Sequence, residues 1–164
     1  FNFYDKAIAL NPDEAHLHVL LGDAYMRSSV YDKAVKAYEK AISLSPEFSL
    51  ENAKLFRSKA RALSKLASTN DATRNKEALV AYEEAIQIDP NDSYSYKERG
   101  DILVQLQQLD EALTDYEIAI RLNRRFGMAY WSKGEALERK AKEISKAAQE
   151  AYEEARKLGV NRTH

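Results

Sequence analysis

The strongest constraint on this chain is a spacing. Tyr4, Tyr38, Tyr82, Tyr116 and Tyr152 are separated by 34, 44, 34 and 36 residues. An alanine stands three residues after each of them, at Ala7, Ala41, Ala85, Ala119 and Ala155. Another stands four residues before all but the first, at Ala34, Ala78, Ala112 and Ala148. Pro12, Pro46 and Pro90, the only prolines, keep the same steps of 34 and 44. A repeat of this length is the signature of a stacked solenoid: one unit is too small to bury its own apolar face, so each neighbour must cover the last.

Each unit reads as two helices. Ala, Glu, Lys, Leu and Arg dominate, all strong helix formers, and no segment alternates at period 2, so strands are not expected. In the first complete unit Asp13 is the expected N-cap of a helix reaching about Arg27. Ser28 to Asp32 supplies a turn. A second helix is predicted from about Lys33 to Leu44, stopped at Ser45-Pro46 because proline has no amide hydrogen. Ala34, Tyr38, Ala41 and Ile42 stand at i, i+4, i+7 and i+8, one apolar stripe. The alanines are small because two helix backbones must approach closely there.

These residues resemble the tetratricopeptide repeat family, whose pattern is Trp-x2-Leu-Gly-x2-Tyr, then Ala-x3-Phe-x2-Ala, then Pro. Residues 15–48 match through Leu21, Gly22, Tyr25, Ala34, Tyr38, Ala41 and Pro46, with His18 in the Trp place. Residues 93–126 match through Tyr96, Gly100, Ala112, Tyr116 and Ala119, with Leu103 for the Tyr and Arg124 for the Pro. Residues 127–160 give Tyr130, Gly134, Ala148, Tyr152 and Ala155, with two extra residues before Ala148. Residues 49–92 fit through Phe56, Ala60, Leu63, Ala78, Tyr82, Ala85 and Pro90 only with insertions. One insertion suits a helix lengthened by a turn; the other makes Ala67 to Asn75 an inter-helix loop of polar, turn-favouring residues. Residues 1–12 read as the second helix of a truncated repeat. The resemblance implies one all-α array over residues 1–164, a right-handed superhelical solenoid of antiparallel helix pairs.

No catalytic constellation accompanies the repeat, and the chain is not expected to be an enzyme or to carry a metal or cofactor. Cysteine is absent, which removes thiolate ligands, disulfides and cysteine nucleophiles. His16 and His18 lie on opposite sides of a helix and cannot share one ion; His18 is expected in the core. The pairs Glu83-Glu84 and Glu153-Glu154 read as solvated faces. The five glycines are scattered, so no loop cradles phosphate. The net charge of -1 argues against nucleic acid as the partner. No run is long and apolar enough to span a membrane, and no signal peptide opens the chain, so Asn161-Arg162-Thr163 carries little weight as a glycosylation site and a cytoplasmic location is expected. With Phe1 in place of Met, the chain reads as a piece of a longer one.

The resemblance also places a binding groove on the first helices of the repeats. It assigns to that groove Lys54, Arg57, Arg61 and Lys65 from the second unit, Tyr94, Lys97 and Asp101 from the third, and Trp131, Glu135 and Glu138 from the fourth. Helix geometry alone puts Lys54, Arg57, Arg61 and Lys65 on one face. Such a stripe is either a solvated face neutralised by nearby carboxylates or a subsite for acidic or C-terminal carboxylate groups of a peptide. Val19 and Asp23 stand where family members that dock heat-shock chaperones carry Lys and Asn, so chaperone docking is not expected. The function implied is a protein-interaction module holding an extended peptide or partner helix. Alternatives are a regulatory or scaffolding segment of a larger signalling enzyme, and a self-assembly element associating weakly through exposed apolar ends around Phe1, Phe3 and Ile8.

Overall fold

A computed structural model describes residues 2–45, 49–67 and 72–158. The expectations for Phe1, Pro46 and Asn161-Arg162-Thr163 fall outside these residues. The described residues form α1 (Asn2–Leu10), α2 (Ala15–Arg27), α3 (Tyr31–Leu44), α4 (Leu50–Leu66), α5 (Ala72–Ile88), α6 (Ser93–Gln105), α7 (Leu109–Leu122) and α8 (Gly127–Lys157). Helices α2/α3, α4/α5 and α6/α7 pack as pairs, and each pair stacks on the next through α3/α4, α5/α6 and α7/α8. The architecture is a right-handed superhelical solenoid of antiparallel helix pairs, with no strand among the described residues.

The periodic residues form the core. Tyr38, Tyr82 and Tyr116 are each 1% exposed, and Ala34, Ala41, Ala60, Ala78, Ala112 and Ala119 are fully buried. The Tyr38 and Tyr116 rings lie across the partner helix at a glycine. A Cβ on Gly22 would sit 2.7 Å from Tyr38 Cε1, and one on Gly100 would sit 2.7 Å from Tyr116 Cε1. Glycine is needed there for close approach rather than for an unusual backbone. His18 is buried, with Nε2 3.0 Å from the Pro12 carbonyl oxygen, which ties α2 to the preceding turn.

The tight turns inside the first and third pairs share one device. Ser29 (φ 58°) and Gln107 (φ 61°) take the left-handed conformation, and the next amides, Val30 and Gln108, donate back to Tyr25 O and Leu103 O at 2.9 Å. This is the Schellman closure, which satisfies carbonyls that the helix end leaves over. Neither residue is the glycine that usually takes this position, at a cost of about 1–2 kcal/mol for an L-residue.

Three local expectations are corrected and one is met. The N-cap of α2 is Glu14, without a side-chain cap bond, and Asp13 lies in the turn before it; the bond from Leu17 N to Glu14 O starts the helix there. The second helix of that unit begins at Tyr31, so the turn is shorter than expected. In the second unit α4 is 17 residues long against 13 for α2 and α6, as the first insertion suggested. The second insertion is not all loop: Ala72 to Asn75 belong to α5, Asn75 is 4% exposed, and residues 68–71 are outside the described set. The strong helix-forming sequence that follows carries α5 back toward the insertion.

The largest correction is in the last unit. Residues 127–157 form one helix of 31 residues, where the spacing predicted a pair. Only Ala129, Ser132 and Ala136 of α8 are buried, against α7. Tyr152, the last of the periodic tyrosines, is 54% exposed. The reason is local: Glu135 to Ala147 contains no Gly, Pro or Asn, and nothing stops a run of strong helix formers.

Candidate functional site

The first helix of each pair contributes one continuous face. Helix α4 touches α6, and α6 touches α8, while Asp23, Met26 and Arg27 of α2 border a 160 Å³ hollow with Ser58 and Arg61 of α4. The periodic tyrosines point their hydroxyls at this face. Tyr38 donates to Asp23 Oδ1 at 2.6 Å and Tyr116 to Asp101 Oδ1 at 3.0 Å. In the second unit Arg61 stands where the others have that Asp, and the Tyr82 hydroxyl faces Glu98 Oε2 at 3.5 Å instead. Burial, with the neighbouring carboxylates, holds all three phenols well above the ordinary tyrosine value. Burial likewise raises the Glu98 carboxyl, against the lowering pull of Arg61 and Arg57.

The cationic stripe is divided. Arg57 pairs with Asp92, and its guanidinium lies 5.6 Å from the centre of the Tyr94 ring. Arg61 Nε is 3.3 Å from Glu98 Oε1, and Lys97 Nζ donates to Asp101 Oδ2 at 2.7 Å. Lys54 and Lys65 are exposed, and among the described residues no carboxylate pairs with either. Three of the assigned cations thus already hold carboxylates of this chain, and two face solvent.

Tyr94 and Trp131 are 51% and 66% exposed. The Tyr94 ring is braced by two contacts, with Arg57 and with Phe126, whose ring centre is 4.7 Å away. Glu135 and Glu138 are exposed on α8. The structure brings together Arg57, Tyr94, Arg61 and Lys97 across α4 and α6; Trp131, Glu135 and Glu138 stand on α8, and among the described residues none of them forms an ion pair or ring contact with these four.

Three contributors were not singled out from the sequence. Asp92 caps α6, accepting from Tyr94 N at 3.1 Å and from Ser95 Oγ at 2.7 Å, while also taking Arg57. Its place after Pro90-Asn91 and before a helix was a readable cap signal. Glu98 and Phe126 had no such signal, because their partners lie on other helices. Among the described residues no group of three His, Asp or Glu is placed to hold a metal ion, and no helix is long and apolar enough to cross a membrane.

Comparison with known proteins agrees with this fold. Family models described as tetratricopeptide repeat match residues 15–48 and 97–159. A DnaJ homolog subfamily C member 7 homolog of Dictyostelium discoideum is 27% identical over 132 residues, 73% of this chain and 23% of that protein. The chain therefore spans about a quarter of the length of this curated relative. Among solved structures, MamA superposes with a TM-score of 0.74 at 23% identity, over 95% of this chain and 86% of that one. The first TPR of Spaghetti (RPAP3), bound to the HSP90 peptide SRMEEVD, gives 0.69 at 23% identity, over 78% and 94%. The matching models, the shared solenoid and the tyrosine-on-glycine packing agree, and the chain belongs to the tetratricopeptide repeat family.

Proposed function

We propose that this chain is a protein-interaction module that holds an extended peptide or a partner helix on the face built by α2, α4, α6 and α8. The observation that carries the reading is the braced Tyr94 ring. Half of it is open to solvent, yet Arg57 and Phe126 fix its orientation, so a ligand gains an aromatic contact with little ordering cost. Trp131 offers a second anchor, and Trp, Tyr and Arg are the residues that dominate binding energies. The peptide complex of the structurally similar RPAP3 domain supports a peptide as the occupant.

The same reading gives the groove a preference for acidic or C-terminal carboxylate groups at its second unit. Lys54 and Lys65 receive them directly, while Arg57 and Arg61 share themselves between the ligand and Asp92 or Glu98. Exposed Glu135 and Glu138 repel the acidic end and fix its direction. The test is titration of synthetic peptides of about ten residues, matched in apolar content and differing in acidic residues and in free against amidated C-termini. Acidic, free-carboxylate peptides are expected to bind tightest and to lose about tenfold on Lys54→Glu with Lys65→Glu, with added salt weakening the wild type more than the variant. Loss of binding on Tyr94→Ala is expected for every peptide. Affinity indifferent to all three substitutions refutes the assignment of this face.

A further inference from the structure

The last unit contains an unfilled copy of the packing that builds the others. Gly22 and Gly100 each lie against a buried tyrosine ring, but a Cβ on Gly134 meets nothing within 4 Å among the described residues. The tyrosine of the same unit, Tyr152, is on the same straight helix and 54% exposed. The two positions are about 27 Å apart at 1.5 Å per residue, so one helix cannot bring its own Tyr152 to its own Gly134. Between them, Gly134, Leu137, Ala141, Ile144, Ala148 and Ala151 follow steps of three and four, the seam of a helix that pairs with another helix. Leu137 and Ile144 on that seam are 48% and 60% exposed.

We propose that the occupant is a second copy of this chain, with the two α8 helices packed antiparallel so that Tyr152 of each seats over Gly134 of the other. In an antiparallel pair a contact made at one end is repeated at the other by the twofold axis, so one register seats both tyrosines. That register places the axis near Lys142 and Glu143, the midpoint of Gly127–Lys157, and overlaps the two helices along their whole length. Within one residue of that level the seam brings Gly134 beside Ala151, Leu137 beside Ala148 and Ala141 beside Ile144, large or branched against small along most of the seam, as close-packed helices require. The charges agree. The first half of α8 carries Lys133, Arg139, Lys140 and Lys142 against two glutamates, and the second half carries Glu143, Glu150, Glu153 and Glu154 against three cations. Closure of a single chain into a hairpin is disfavoured, because Ser29 and Gln107 mark what a turn in this fold requires, and residues 135–147 are strong helix formers without a glycine, proline or asparagine.

The chain has no cysteine, so single engineered cysteines report the pairing without background. Gly134→Cys and Tyr152→Cys proteins are mixed under oxidising conditions and compared with each alone. A disulfide-linked dimer in the mixture, exceeding that in either protein alone, is expected, since the bond needs Cα atoms within about 7 Å and the two Tyr152 positions stay about 27 Å apart in the proposed register. Efficient linkage by Tyr152→Cys alone, or none in the mixture, overturns the proposal. Sedimentation gives the second measurement. Gly134→Leu is expected to raise the dimer dissociation constant at least tenfold while keeping the helical content and melt of the dilute protein, because the monomer has space for the side chain. A strictly monomeric wild type at high concentration overturns the proposal, as does a Gly134→Leu protein that dimerises like wild type.

Discussion

Substituting alanine at two glycines that the repeat makes equivalent, Gly100 and Gly134, is expected to have effects of opposite sign. In a helix interior Gly→Ala gains about 1 kcal/mol from propensity alone. At Gly134 nothing opposes that gain in the monomer, since no atom among the described residues lies within 4 Å of the new Cβ. At Gly100 the new Cβ meets Tyr116 Cε1 at 2.7 Å, with Cδ1 and Cζ at 3.1 Å. The ring cannot swing away: it is 1% exposed and its hydroxyl is tied to Asp101 at 3.0 Å. Overpacking of this kind costs about 1–3 kcal/mol, and a contact this short belongs in the upper half of that range. Net destabilisation of about 1–2 kcal/mol is expected for Gly100→Ala, against stabilisation of about 0.5–1 kcal/mol for Gly134→Ala. Urea melts followed by circular dichroism, at concentrations low enough to keep the chain monomeric, measure both. Hydrogen exchange adds the location, because contacts in a repeat array are between neighbours and the loss should centre on α6 and α7. Two glycines with the same sign of effect would refute the packing argument.

Three further outcomes are expected. Stability falls as pH rises above about 10, the unfolded tyrosine value: burial keeps Tyr38, Tyr82 and Tyr116 protonated in the folded state while the unfolded chain ionises, so their contribution is complete below about 10 and lost above it. Urea melts across that range are expected to flatten on Tyr116→Phe. Asp115→Ala costs about 3 kcal/mol in a thermal or urea melt, because Asp115 is 2% exposed and accepts both Nε and Nη2 of Arg99 at 2.7 Å. Arg57→Ala lowers stability by about 1 kcal/mol, the upper end for a partly exposed pair, whereas Lys54→Ala leaves the melt unchanged; equal effects would show that the Asp92 pairing contributes nothing.

That last contrast bears on a question the sequence left open. Spacing shows that Lys54, Arg57, Arg61 and Lys65 share a helix face, but not whether nearby carboxylates of the chain neutralise them. The stack then places Asp92 and Glu98 of α6 against the middle two and leaves the outer two to solvent. Whether a stripe is neutralised depends on residues a whole unit away, and no local pattern specifies how one helix registers against the next.

The sequence by itself determined the architecture, because a tyrosine, a glycine and two alanines recurring near period 34 can be buried only by stacking helix pairs. It determined Tyr38, Tyr82 and Tyr116 as core, His18 as a buried histidine and the longer α4. It did not determine whether the last unit closes. Gly134, Ala148, Tyr152 and Ala155 carry the marks of a helix pair, but a pair also needs a turn, and Glu135 to Ala147 favours unbroken helix. Only the tertiary structure decided between these, by showing α8 continuous and Gly134 uncovered. The physical reason is that repeat residues record which surfaces fit together, while the intervening backbone decides whether one chain can bring them into contact.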